Sequence, residues 1–152
     1  MPTITPFLWF DSQAEEAMNF YASIFPDTKV LSVSRANGKV MTVQFELQGR
    51  TFMGLNGGPL YKFNEAVSMF IGCDTQAEID DFWTKLTAGG GEPGRCGWLK
   101  DKFGLSWQVV PNSLGQLMGG GGDPSRSKRV MDALFAMNKL EISGLQRAFD
   151  GA

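Results

Sequence analysis

The sequence predicts an α+β fold in which a βαβββ unit occurs twice and is followed by a helical tail. The segment DSQAE at 11–15 recurs as DTQAE at 74–78, and both copies follow a short apolar run and lead into a helical pattern. After each helix come short strand-like runs separated by turns. Two copies are too few for a solenoid, so they indicate one pseudo-symmetric domain at 1–118, with a cleft between repeats 3–58 and 66–111.

The first repeat is expected to open with an apolar strand followed by a helix that stops at Pro26. Asp11 or Ser12 can cap this helix, and Glu15 stands at capping-box spacing from Ser12. A hairpin follows, because Asn37-Gly38 readily adopts the positive φ angles of a tight turn. The strands of this repeat are predicted at 3–10, 30–35, 40–47 and 51–55.

The second repeat follows the same order. Its helix is predicted at 75–88, capped by Asp74 or Thr75 and terminated by the glycines at 89–91. The clear strands are predicted at 67–73 and 105–110, and weaker ones lie within 92–100.

The tail at 119–152 has a different pattern. Asp123 followed by Pro124 is a typical helix start, with a capping side chain before proline at the first helical position. The glycines at 119–122 are expected to form a flexible joint. Two short apolar stripes then predict two helices, and their members are Val130, Leu134, Met137, Ile142, Leu145 and Phe149.

Composition excludes several classes of function. The 152 residues carry a net charge of −2 with no basic stripe, so nucleic acid is not an expected partner. No signal peptide or apolar run of membrane-spanning length is recognisable. Two cysteines, Cys73 and Cys96, are too few for a disulfide framework, which favours a reduced, cytoplasmic location. The chain has no histidine, and this excludes histidine-based metal sites, triads and general bases.

Three features with possible chemistry have simpler explanations. The glycines at 89–94 satisfy G-x-G-x-x-G, but they follow a helix instead of opening one, so a helix stop explains them better than a nucleotide site. Cys96 beside Arg95 could be a reactive thiolate, but the chain has no histidine to act as its base, so an inert cysteine is the simpler explanation. Cys73 is expected to pack in the core. Asp101 is isolated from other carboxylates, which favours surface charge and turn chemistry over an acid/base pair.

The order of elements and several short motifs resemble the vicinal oxygen chelate superfamily, the glyoxalase and bleomycin-resistance fold. The PhnB-like branch, which carries the label 3-demethylubiquinone-9 3-methyltransferase domain, is the most similar. The resemblance extends over 3–149 and implies a curved, mixed sheet of eight strands around a half-barrel cavity, and a homodimer. The motifs that carry it are PFLWF at 6–10, NFY at 19–21, FMGLNGGP at 52–59, CGWLKD at 96–101 and GLSWQVV at 104–110.

Metal-dependent members of this superfamily bind a divalent ion through His and Glu on equivalent strands of the two halves. The positions that the resemblance aligns with those ligands are Pro6, Met53, Ser68 and Gln108, none of which is His or a carboxylate. An amide and a hydroxyl do not replace imidazole and carboxylate for a divalent transition metal. No glycine-rich strand-to-helix loop suited to S-adenosylmethionine is present either. We therefore expect neither a metal nor a cofactor.

The first hypothesis is metal-independent binding of a small, partly aromatic molecule in the half-barrel cavity. The alternative is an enzyme of the superfamily (a lyase, isomerase, dioxygenase or the methyltransferase of the family label) whose active site is not recognisable. A third possibility is a surface for homodimerisation through the sheets or the helical tail. The residues predicted to contact the ligand are Leu8, Phe10, Phe45, Met53, Ser68, Phe70 and Gln108.

Overall fold

The computed structural model describes residues 1–152, which form eight strands and five α-helices in the predicted α+β order. The chain divides into two compact units, Met1–Phe63 and Asn64–Ala152. The first unit contains β1 (Phe7–Phe10), α1 (Ala14–Ile24), β2 (Thr28–Ala36), β3 (Lys39–Leu47) and β4 (Arg50–Asn56). The second contains β5 (Ser68–Cys73), α2 (Gln76–Thr87), β6 (Glu92–Pro93), β7 (Trp98–Lys100), β8 (Ser106–Pro111), α3 (Leu114–Met118), α4 (Pro124–Phe135) and α5 (Ile142–Asp150).

The first sheet has the strand order β1-β4-β3-β2, with β1 parallel to β4 and the other pairs antiparallel. The predicted hairpin between β2 and β3 is confirmed, because Asn37 and Gly38 have φ angles of 53° and 75°. The helix α1 covers one face of this sheet, where the rings of Tyr21 and Phe45 are 6.3 Å apart. The opposite face, which α1 does not cover, is called here the open face of the first sheet.

The expected cap of α1 by Asp11 or Ser12 is wrong. Gln13 occupies the N-cap position without a side-chain hydrogen bond. The amide of Ala14 instead donates to the side-chain oxygen of Asn56 at the end of β4, at 2.8 Å. A residue 42 positions further along the chain therefore satisfies this helix start, and this cannot be read from the local sequence.

The second sheet has the order β5-β8-β7-β6, again with one parallel pair, β5 with β8. The helix α2 packs on one face through buried Ile79, Trp83 and Leu86, and it contacts β7 and β8. The predicted cap of α2 by Thr75 is confirmed, since its hydroxyl accepts from the amide of Glu78 at 3.2 Å. The face opposite α2 is called here the open face of the second sheet.

The helical tail packs within the second unit. Val110 of β8 joins a buried apolar cluster whose other members are Leu117, Val130, Leu134, Leu140 and Leu145. The side-chain amide of Gln76 on α2 holds the start of α5 in place through two hydrogen bonds. Its nitrogen donates to the carbonyl of Leu140 at 3.0 Å, and its oxygen accepts from the backbone amide of Ile142 at 2.8 Å.

The glycines expected to form a flexible joint are part of this packing. Gly120–Gly122 form a short 3₁₀ turn, and Gly120 is buried. A Cβ at Gly120 would lie 2.6 Å from the Ser127 hydroxyl oxygen, so close approach of α4 requires glycine there. The short helix α3 was not predicted from the sequence. None of the helices combines the length and the apolar character needed to span a membrane.

Candidate functional site

The structure places the seven predicted ligand contacts in three locations: the core of the first unit, the open face of the first sheet and the open face of the second sheet. Leu8, Phe10 and Phe45 are buried in the core of the first unit. A Cβ atom built on Gly54 would lie 3.1 Å from the side chain of Val43 and 3.3 Å from the ring of Phe10. Val43 and Phe10 are therefore on the same face of the sheet, the one that packs against α1. This placement does not support Leu8, Phe10 and Phe45 as ligand contacts, and we do not include them in the candidate site.

Met53, the fourth predicted contact of the first repeat, lies on the open face of the first sheet. It pairs with Phe7 of β1 and Gln44 of β3, so the three side chains share that face. Phe7 is exposed and the other two are half-buried. Sequence reasoning missed Phe7 and Gln44. The parallel pairing of β1 with β4, which brings Phe7 beside Met53, is a long-range contact with no local signal.

Ser68, Phe70 and Gln108, the predicted contacts of the second repeat, lie together on the open face of the second sheet. Ser68 pairs with Ser106, and Phe70 pairs with Gln108. The Gln108 amide nitrogen donates to the Ser68 hydroxyl at 2.8 Å. Phe70 is 63% exposed although it lies in the middle of a strand. These three residues and the opposite Trp98 combine an apolar surface with a polar anchor.

Trp98 and Lys100 extend this surface along β7. Trp98 pairs with Gln108, and Lys100 pairs with Ser106, so both side chains lie on the open face. Lys100 forms an ion pair with Glu65. The hydrogen bond between the two side chains raises the pKa of Lys100 and lowers the pKa of Glu65, which keeps both charged at neutral pH. The pair is exposed to solvent and contributes little to stability.

Ser106 is the polar residue of this face that lacks a visible partner. It is 1% exposed, and its buried hydroxyl has no hydrogen-bond partner in the structure. An unpaired buried hydroxyl is costly, and an ordered water is a common partner for such a group in folded proteins. Ser106 was not among the predicted contacts, and its position opposite Ser68 is what draws attention to it.

Asp101 organises the connection between β7 and β8. Its carboxylate accepts hydrogen bonds from the amides of Phe103 and Leu105, at 2.9 and 3.1 Å, and from the indole of Trp107 at 2.9 Å. The expected turn role is therefore confirmed, but the expected surface location is wrong, because Asp101 is 3% exposed. Its three bonds fix the hairpin that carries Trp98 and Gln108.

The donor set of the candidate site does not fit a divalent metal. The positions aligned with metal ligands hold a proline, a thioether, a hydroxyl and an amide, at Pro6, Met53, Ser68 and Gln108. No three side chains of the His, Cys, Asp or Glu type form a cluster that could bind a metal. The strand-to-helix connections at 11–13 and 74–75 contain no glycine, so they do not fit a nucleotide-type cofactor loop either.

The two cysteines differ in accessibility. Cys73 is completely buried at the end of β5, as expected from the sequence, and Cys96 is half-buried against the tail cluster. Burial, with smaller contributions from the charges of Glu78 and Asp74, raises the pKa of the Cys73 thiol to about 11. Cys73 is therefore protonated and inaccessible at neutral pH.

We expect iodoacetamide at pH 8 to modify Cys96 and to leave Cys73 intact, because alkylation requires an accessible thiolate. Mass spectrometry of tryptic peptides gives this result directly, and both thiols react after unfolding in urea.

In the folded protein the Cys73 thiol stays protonated up to about pH 11, because its pKa is raised to that value. In the unfolded chain the Cys73 thiol loses its proton near the ordinary pKa of a cysteine. The free energy of unfolding should therefore fall as the pH rises from 9 to 11. Alkylation of Cys73 in the folded protein at pH 8 would contradict this account.

Two βαβββ units, each with a four-stranded mixed sheet and a helix on one face, define the class of the vicinal oxygen chelate proteins. The chain belongs to the 3-demethylubiquinone-9 3-methyltransferase family, whose model matches residues 2–110. The match ends at 110 and not at 149 as the resemblance suggested, so the helical tail lies outside the family model.

One solved structure supports this assignment, and two more distant ones share the fold. The PhnB protein from Bacillus cereus is 35% identical, with a TM-score of 0.66 over 72% of this chain and 99% of that one. A protein from Pseudomonas aeruginosa is 21% identical, with a TM-score of 0.58 over 73% and 98% of the two chains. The fosfomycin resistance protein FosX from Listeria monocytogenes, solved with Mn(II) and sulfate, shares the fold at 13% identity, with a TM-score of 0.53 over 74% and 92%. No curated protein matches the chain.

Proposed function

We propose that this protein binds a small, partly aromatic molecule without a metal ion, and that the open face of the second sheet provides the main contacts. The observation that carries the proposal is the exposed ring of Phe70 beside the hydrogen-bonded pair of Gln108 and Ser68. An aromatic surface with a few convergent polar groups is typical of small-molecule sites. The half-barrel cavity implied by the family resemblance stays a prediction.

The polar groups suggest how a ligand would be oriented. The side-chain nitrogen of Gln108 donates to the hydroxyl of Ser68, and this hydrogen bond fixes the orientation of the amide. The side-chain oxygen of Gln108 is then left to accept a hydrogen bond from a ligand. A flat molecule with one hydrogen-bonding edge could therefore stack on Phe70 and Trp98 and place that edge against these side chains.

The alternative is an enzyme, and the observation that favours it is the methyltransferase name of the family. Such an enzyme would need a cofactor site or a reactive group. The side chains of the open face are amide, hydroxyl and aromatic groups, with Lys100 held by Glu65. These groups can bind and orient a molecule, but they include no evident general base for chemistry near neutral pH. For this reason we place binding first.

Native mass spectrometry of gently purified protein tests the proposal. We expect one organic molecule per chain in the wild type, and a loss of at least about tenfold in affinity in Phe70→Ala, because the change removes an aromatic contact. Gln108→Ala should also weaken binding while lowering the melting temperature by only a few degrees, since one partly buried hydrogen bond contributes about 1 kcal/mol.

The matched control is Phe135→Ala, because Phe135 is similarly exposed, at 54%, but lies on α4. It should retain the ligand fully. Equal ligand occupancy in Phe70→Ala and Phe135→Ala would contradict the assignment of the ligand site to the open face of the second sheet. One tightly bound divalent ion per chain would contradict the metal-independent mode and favour the enzyme. A large loss of stability in Gln108→Ala would make that residue structural.

A further inference from the structure

The chain contains the dipeptide Asn-Gly twice, and the structure places the two copies in different surroundings. Asn37-Gly38 forms the tip of the hairpin between β2 and β3, and Asn56-Gly57 lies at the end of β4. In an Asn-Gly dipeptide the backbone nitrogen of glycine can attack the side-chain carbonyl of asparagine, because glycine has no side chain to shield that nitrogen. The local structure then decides which of the two copies reacts.

We propose that Asn37 is a site of spontaneous deamidation, and that the fold protects Asn56 from the same reaction. The backbone nitrogen of Gly38 attacks the side-chain carbonyl carbon of Asn37. A carbon–nitrogen bond forms and closes a cyclic imide, while the bond from that carbon to the side-chain nitrogen breaks. The side-chain nitrogen takes the proton of the Gly38 amide and leaves as ammonia. Water, the only other reactant, then opens the imide at one of its two carbonyls and gives aspartate or isoaspartate.

Three hydrogen bonds hold the reacting groups of Asn56 and Gly57 in place. The side-chain oxygen of Asn56 accepts from the amide of Ala14 at 2.8 Å, and its side-chain nitrogen donates to the carbonyl of Val40 at 3.2 Å. The attacking group, the backbone amide of Gly57, donates to the carbonyl of Phe10 at 2.8 Å. Since these bonds must break before Asn56 can turn its side-chain carbonyl toward the Gly57 nitrogen, this copy is protected.

The hairpin tip has none of these restraints. Asn37 and Gly38 are both exposed, and neither the side chain of Asn37 nor the amide of Gly38 forms a hydrogen bond. The last paired residues of the hairpin are Ala36 and Lys39, so the two residues between them lie outside the strand pairing. An exposed turn with few contacts opens at a low cost in free energy. Asn37 can therefore reach the geometry of attack, and a reaction within one chain is fast once the atoms are aligned.

Isoaspartate should loosen the hairpin tip, whereas aspartate should not. Isoaspartate continues the main chain through its side chain and so adds one carbon atom to a two-residue turn, whose length fixes the register of the strands. The pairing of Ala36 with Lys39 should then be lost. This change is confined to the first sheet, whereas the proposed ligand contacts lie on the second.

Peptide mapping by mass spectrometry, on the full folded chain incubated at mildly alkaline pH, tests the proposal. A glutamate-specific protease separates the two sites, because Asn37 falls in the peptide 17–46 and Asn56 in the peptide 47–65. We expect Asn37 to deamidate at least about tenfold faster than Asn56, since the reaction at Asn56 requires several hydrogen bonds to break. After unfolding in urea the two rates should become similar. Equal rates in the folded chain, or a faster reaction at Asn56, would overturn the proposal.

Asn37→Gln is the matched variant, because it keeps the amide but lengthens the side chain, which makes ring closure slow. Ion-exchange chromatography of aged wild-type protein should show a growing acidic species, and this species should be missing in Asn37→Gln. Circular dichroism confirms that the variant is folded. The same acidic species forming at the same rate in Asn37→Gln would overturn the assignment to residue 37.

The effect of isoaspartate on the hairpin has its own measurement. Asn37→Asp carries the charge of the product without the additional main-chain carbon, so it separates charge from chain length. We expect hydrogen exchange at 35–40 to be faster in the isoaspartate form, purified from aged protein, than in Asn37→Asp. Identical exchange in the two would show that the turn absorbs the additional carbon, and would contradict the loss of pairing at the tip.

Discussion

Replacing Asp101 with alanine is expected to lower the free energy of unfolding by about 4 kcal/mol, because three donors, two of them in buried hydrogen bonds, lose their acceptor together. Those donors are the amides of Phe103 and Leu105 and the indole of Trp107. For a chain of this size the melting temperature should fall by about 10 °C. Urea denaturation followed by circular dichroism measures the change.

Asp101→Asn is the matched variant. It keeps the shape and one acceptor oxygen for the backbone amides, but its amide nitrogen meets the Trp107 indole, and two donors cannot bond. We expect a loss of about 2 kcal/mol, roughly half of the alanine effect. In a Trp107→Phe background the additional loss from Asp101→Asn should become small, because the indole donor is absent. Equal losses in both backgrounds would show that the indole bond does not matter.

The functional consequence of Asp101 is indirect. The carboxylate holds the connection between β7 and β8, which carry Trp98 and Gln108 on the candidate ligand face. Ligand affinity in Asp101→Asn should therefore fall less steeply than in Phe70→Ala at a temperature where both are folded. Asp101 acts on binding through the geometry of the hairpin.

Local signals predicted much of the fold. The Asn37-Gly38 turn, the Thr75 cap and the Asp123-Pro124 helix start each depend on a few neighbouring residues, and each is present. The α1 cap is not local, because its acceptor, Asn56, lies at the end of β4. Asp101 illustrates the same limit: the sequence shows turn chemistry there, but the burial of the carboxylate depends on Trp107 and the packed sheet.

The candidate site was only partly predictable for a related reason. The run PFLWF at 6–10 is apolar at every position, so it has no alternation to show which side chains face the helix and which face the open side. The prediction chose Leu8 and Phe10, and the structure buries both and leaves Phe7 exposed. In the second repeat, Ser68 and Gln108 interrupt the apolar pattern, and both lie on the open face, where they form a hydrogen bond with each other.

Gly97→Ala is expected to be the second strongly destabilising change, with a loss of about 3 kcal/mol or more. Gly97 has a φ angle of 84°, a conformation that costs a residue with a side chain about 1–2 kcal/mol. A Cβ there would also lie 2.8 Å from the carbonyl oxygen of Val109, which is backbone and cannot move independently. Denaturant unfolding of the variant measures the sum of both costs.

Gly104→Ala separates the two contributions. Gly104 has a nearly identical φ of 88°, but a Cβ there meets nothing within 4 Å. Its alanine variant should therefore lose only the conformational cost of about 1–2 kcal/mol. The excess loss in Gly97→Ala then measures the steric contact alone. If the two variants are equally stable, the close approach of Val109 is relaxed at little cost and the steric argument fails.

The Gly97→Ala substitution should also affect the helical tail, because backbone hydrogen bonds connect Gly97 and its neighbour to the tail. Its amide donates to the carbonyl of Asn138, its carbonyl accepts from the amide of Val109, and the preceding amide of Cys96 donates to Met137, each at 2.8 Å. These bonds link β8 to the segment between α4 and α5, so displacement of Gly97 should loosen the tail before the sheet unfolds. Hydrogen exchange should then show faster exchange in α4 and α5 of Gly97→Ala, with β3 and β4 of the first unit unchanged. Uniformly faster exchange across both units would show instead that the tail and the sheets unfold together.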